Sequence, residues 1–160
     1  MRVLPLVFAA ALLLTRACAA EDSIPIPVEV RDHMGSMVGD WTFRGHEGER
    51  TFSGEEKVRL VNNGTALVQE GFFDLGDGAK EHYVILSGWD GTLRTVLVVG
   101  FSTEGHAWEG EWTSLDGTKW IGTASGEPAT FEVGEETMRY EDTGAGTPWV
   151  SEFSRKTPRQ

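Results

Sequence analysis

Cysteine is almost absent from this chain: Cys18 is the only one, and it sits among the first twenty residues. Past that point a disulfide framework, a thiolate nucleophile and a thiolate metal ligand are all excluded. Basic residues are also scarce, 14 against 25 acidic ones, for a formal net charge of −11. Such a chain repels phosphates and has no basic stripe, so no nucleic-acid partner is expected. The acidity itself serves solubility. Long apolar runs are missing too. The one from Val3 to Leu14 is too short to cross a bilayer, and no integral membrane span is expected. There is no Gly-x-Ser-x-Gly elbow and no His-x-His pair, because His33, His46, His82 and His106 stand singly. No catalytic set, metal site or cofactor can be named on that basis. The adjacent carboxylates Glu55-Glu56 and Glu135-Glu136 would point to opposite faces of a strand and read as solvated. The glycines serve turns and build no phosphate cradle.

What the chain does have begins with a leader. Arg2, the apolar run and Ala17-Cys18-Ala19-Ala20 have the order of an export signal over residues 1–20, which predicts a periplasmic or secreted protein. Lipid anchoring through Cys18 is the alternative, and Arg16 fits it poorly. The remainder, about 140 residues, suits one domain with one core. Residues 21–36, with Pro25 and Pro27, read as an extended segment lying along the domain. A short helical turn over Arg31 to Val38 is expected to sit across one end, with His33 structural. Residues 37–156 form the domain, and residues 157–160 a tail.

The domain has a regular beat. Asn63-Gly64, Asp77-Gly78, Asp90-Gly91, Glu104-Gly105 and Asp116-Gly117 place glycines at intervals of 14, 13, 14 and 12 residues. Even spacing predicts strands of similar length joined by tight hairpins, with no room for parallel crossovers. The strands are read as 39–46, 50–62, 65–75, 79–88, 92–103, 106–115, 118–125, 129–134, 136–143 and 148–155. The fold class is therefore all-β, a single antiparallel up-and-down β-barrel of about ten strands.

Patterning within the strands assigns faces. In His106 to Trp112 the tryptophans share one face with Gly110, while Glu109 and Glu111 share the other. The stretch Leu93 to Phe101 is apolar on both faces, so its outer face needs a cover, and the N-terminal segment is the expected one. At the barrel ends, Gly39-x-Trp41 lets the backbone turn before a plugging indole. Arg155, on the last strand, is expected to stack on Trp41 where the barrel closes. A three-residue loop at Leu115-Asp116-Gly117 would pair Trp112 with Trp120 and Gly110 with Gly122, leaving bare backbone beside the indoles.

Val38-Gly39-Asp40-Trp41, Gly88-Trp89-Asp90, Gly100-Phe101-Ser102 and Gly110-Glu111-Trp112, taken in order with a basic residue near the end, resemble the calycin group. More narrowly, they resemble exported bacterial lipocalin-like proteins of unknown function. The resemblance implies a ligand cavity for a small apolar molecule. The chain departs from it in having no lipocalin disulfide cysteines and no placeable carboxylate-gripping basic pair. Neither His82 nor His106 matches an axial haem ligand.

Three functional readings compete. The first is a monomeric or weakly dimeric barrel binding a small hydrophobic ligand, lined by Tyr83, Phe101, His106, Trp108, Trp112 and Trp120. The second is an enzyme in the same cavity, with Tyr83, Glu70 or His106 as acid or base. The third is a filled barrel serving as a structural or interaction module.

Overall fold

A computed structural model of the chain describes residues 24–76, 78–114, 118–142 and 146–156. The leader expected over residues 1–20 and the tail expected over residues 157–160 lie outside that range. One helix, α1 (Val28–Met37), precedes ten strands: β1 (Gly39–Glu47), β2 (Arg50–Val61), β3 (Ala66–Asp74), β4 (Lys80–Asp90), β5 (Thr95–Ser102), β6 (Ala107–Ser114), β7 (Lys119–Ala124), β8 (Glu127–Val133), β9 (Thr137–Asp142) and β10 (Trp149–Arg155). Each strand pairs antiparallel with its sequence neighbours, and β10 pairs with β1 to close the barrel. The fold is an up-and-down β-barrel, as the turn rhythm predicts.

Alternation sets the inside. On β2, Phe52, Glu56 and Val58 are buried while Ser53, Glu55, Lys57 and Arg59 face water. A period of two dictates this once one face is enclosed. The interior glycines let rings from neighbouring strands lie flat against backbone. A Cβ on Gly100 would overlap the Trp108 indole, and one on Gly71 would lie 2.6 Å from the Tyr83 hydroxyl. Ring and glycine thus interdigitate across strands, which permits the coiling a barrel needs.

The hairpins are more varied than the beat implies. Ser125-Gly126 joins the Ala124–Glu127 pair as a two-residue turn with φ of 52° and 84°. Asn63-Gly64, by contrast, belongs to a wider loop between Val61 and Ala66, held by Asn62 Nδ2 donating to Thr65 Oγ1 at 2.7 Å. Asp90 Oδ1 accepts from the backbone N–H of Thr92 and Leu93, both at 2.8 Å, and shapes another four-residue loop before Thr95. Asp77 and residues 115–117 fall outside the described residues.

The helix begins at Val28, earlier than the single turn expected over Arg31 to Val38, and it plugs one end of the barrel. Val30, His33, Met34 and Met37 are buried at i, i+3, i+4 and i+7, so one helical stripe faces Trp41, Val58, Leu67, Val96, Trp120 and Met138. Pro27 sits at its N-cap. The expected cover over β5 is a correction as well. Among the described residues Leu86, Val99 and Phe101 remain exposed on the outer face, because the helix spends its apolar stripe on the barrel end.

Candidate functional site

Enclosed by the ten strands and α1 is a cavity of about 640 Å³. Its roof is His33, Met34 and Met37, and its opposite end reaches the exposed residues Arg50, His106 and Thr147. One end is plugged and the other meets solvent.

Aromatic rings make much of the wall. Tyr83 lies 4.7 Å from Phe73 and 6.4 Å from Trp108, measured between ring centroids. Trp112 lies 6.1 Å from both Phe131 and Tyr140. Trp120 is buried beneath the roof with its ring 4.3 Å from His33, and its indole N–H has no hydrogen-bond partner among the described residues. An unpartnered buried donor costs roughly 1–3 kcal/mol, so an acceptor arriving in the cavity would relieve it.

The expected pairing of Trp112 with Trp120 is corrected by two positions. Trp112 pairs with Gly122, Gly110 with Ala124, and Ser114 with Trp120. A two-residue shift keeps side chains on their own face, so both tryptophans still line the cavity, now diagonally. Phe101 is a clear correction. Gly100 pairs with Trp108 on the inner face, so Phe101 points out and is 56% exposed. His106 stands at the mouth, its side chain 70% exposed, with Nδ1 2.7 Å from Glu81 Oε1. Glu70, a candidate acid or base, faces outward and pairs with Arg59.

The most unusual residue inside is one that sequence patterning assigns to solvent. Glu55 and Glu56 are both expected in water. Only Glu55 is, whereas Glu56 is 5% exposed and lines the cavity. Tyr83 Oη donates to Glu56 Oε2 at 2.8 Å, and Gln69 Nε2 donates to Oε1 at 3.5 Å. Gly71 makes the first bond feasible: it lies between Glu56 and Tyr83 in the β2–β3–β4 row, and with no side chain it lets the phenol reach across β3. Burial pushes the Glu56 carboxyl up to about 7, although the two donors pull it down. Burial, with the Glu56 carboxylate beside it, pushes the Tyr83 phenol up as well. The legible signal is parity, since Glu56 shares a face with Phe52, Gly54 and Val58.

Other polar groups sit at the mouth and on β9. Burial alone would push Glu81 up, but Ser102, His106 and Arg50 outweigh it and leave the carboxyl below its usual range. Burial and the nearby Asp142 raise the Tyr140 phenol. Among the described residues no group of three or more His, Cys, Asp or Glu is placed to hold a metal ion.

At the plugged end Arg155 ties several elements together. Its guanidinium lies 4.1 Å from the Trp41 ring centroid, and it donates to the carbonyls of Val38 at 2.6 Å, Ser36 at 2.9 Å and Glu135 at 3.0 Å. Trp41 Nε1 donates to Met37 O at 2.8 Å. Between them, the carbonyls at the C-terminal end of α1 gain partners and a positive charge. Gly39, with φ of 153°, supplies the room, because a Cβ there would overlap the Arg155 guanidinium.

No family model and no curated protein matches the sequence. Among solved structures the chain is similar to a de novo designed fluorescence-activating β-barrel. The identity is 15% and the TM-score 0.48, over 78% of this chain and 98% of that one.

Proposed function

We propose that this barrel binds a small hydrophobic molecule in its interior. The observation that carries the reading is the cavity of about 640 Å³, roofed by α1, open at the other end and walled by Tyr83, Trp108, Trp112 and Trp120. That volume falls within the roughly 300–1,000 Å³ typical of small-molecule sites, and mixed apolar walls with a few polar groups are their usual lining. A filled structural barrel would have no reason to leave this space beside half-buried indoles. The reading includes export to the periplasm or beyond, supported by the leader pattern of residues 1–20, and membership of the lipocalin-like group, supported by the order of the Gly39-x-Trp41 and later Gly–aromatic motifs.

Native mass spectrometry of protein purified from its own host tests it. A co-purified small molecule, released on denaturation, is the expected result. Tryptophan fluorescence unmoved across a broad panel of apolar compounds, together with an empty spectrum, overturns it.

A further inference from the structure

Resting on that reading, the chemistry of the cavity points to a class of ligand. Glu56 is the one acidic side chain placed at the middle of the wall, between the apolar cluster under α1 and the aromatic cluster toward the mouth. Each of its oxygens receives one neutral donor, an arrangement suited to an acceptor-only carboxylate. Among the described residues no cationic side chain pairs with it. A carboxylate taken out of water without a counter-charge is strongly unfavourable, and natural interiors correct this with a partner.

The rest of the lining agrees. Among the described residues Arg50 is its only permanent cation, against Glu47, Glu56, Glu81, Glu109 and Asp142, and Arg50 lies at the mouth beside Glu81. A cleft of one sign with low-dielectric walls concentrates the opposite charge. The rings of Phe73 and Trp108 group around Tyr83, whose hydroxyl reaches the carboxylate, and offer faces on which a cation is attracted. We propose that the ligand is a hydrophobic amine, bound as its cation, with the ammonium against Glu56 and its apolar body toward the indoles.

The groups that titrate or carry charge around Glu56 are few. β4 faces it with Tyr83, β3 with the neutral amide of Gln69, and β1 with Trp41 and Phe43. Across the cavity stand His33 from α1, Glu109 from β6, Tyr140 and Asp142 from β9, and Arg50, Glu47, Glu81 and His106 at the mouth.

Isothermal calorimetry with three matched probes tests the proposal: naphthylmethylamine, naphthylmethanol and naphthoic acid. Near pH 8 the wild-type protein should bind the amine at least about tenfold more tightly than the alcohol, and the acid least of all. Glu56→Gln should collapse the amine-to-alcohol ratio toward one, while Glu55→Gln, outside the barrel, should keep it. Near pH 6 amine binding should release close to one proton, falling toward zero above about pH 8, and alcohol binding should release none. The proton count is made on the wild-type chain, so it decides even where Glu56→Gln does not fold. Equal affinity for amine and alcohol, or amine binding without proton release, overturns the amine proposal and leaves the cavity reading standing. Failure of all three probes to bind overturns both.

Discussion

Arg155 lies over the Trp41 ring at 4.1 Å while donating to the carbonyls of Ser36, Val38 and Glu135. One side chain therefore joins the last strand, the first strand, the end of the helix and the β8–β9 turn. Arg155→Ala removes a cation–π contact and leaves three carbonyls without their charged donor, so a loss of about 2–4 kcal/mol is expected, read as a lowered denaturant midpoint. Arg155→Lys should recover only part of it, since a single ammonium cannot reproduce a planar fork. A midpoint unmoved by Arg155→Ala would contradict this account of closure.

Gly39→Ala is expected to act on the same knot from the other side. The added methyl meets the guanidinium, and φ of 153° suits only glycine, so a cost of about 1–3 kcal/mol should appear. A double-mutant cycle with Arg155→Ala checks the mechanism: the double variant should lose less than the sum of the two single losses.

Glu56 sets a pH dependence with an unusual sign. Its carboxyl titrates near 7 in the folded protein and near 4.5 in the unfolded chain, so between those values the native state holds the extra proton. Stability must then fall as pH rises from about 4.5 to about 7, by roughly 3 kcal/mol in all, and stay low above. Glu56→Gln should remove that slope. Chemical denaturation across the range measures it, and a slope of the opposite sign in the wild type, unchanged by Glu56→Gln, would refute the assignment.

The outward placement of Phe101 makes a contrast testable. Phe101→Ser should cost less than about 1 kcal/mol, because it loses cross-strand contacts only with Val84 and Ala107, on a wet face. Gly100→Ala, one residue away, should cost more, about 1–3 kcal/mol, and shift tryptophan emission as the Trp108 indole is displaced. Thermal melts and emission spectra of the two variants settle which face each residue occupies.

Much of this barrel is legible in the sequence because its signals are local. Gly–turn spacing and period-two patterning act within a dozen residues, and they yield the meander and the inward Trp108 and Trp112. Phe101 is misplaced by pattern alone because both faces of its strand are apolar, and there parity must be taken from the neighbour, Trp108 against Gly100. The Trp112–Trp120 pairing depends on loop length, which composition constrains poorly. Glu56 escapes for a different reason. A carboxylate is ordinarily outside, and only its partners from β3 and β4, 13 and 27 residues away, make its burial tolerable.

The plug formed by α1 also fixes an order of events. With His33, Met34 and Met37 closing one end, a molecule enters and leaves by the mouth beside Arg50 and His106. Whatever part of it reaches Trp112 and Trp120, beneath the plug, went in first and comes out last. The trailing end stays nearest solvent, where added bulk would meet water before it met wall. A lumen open at one end would therefore select an occupant by its leading end and leave the trailing end toward water.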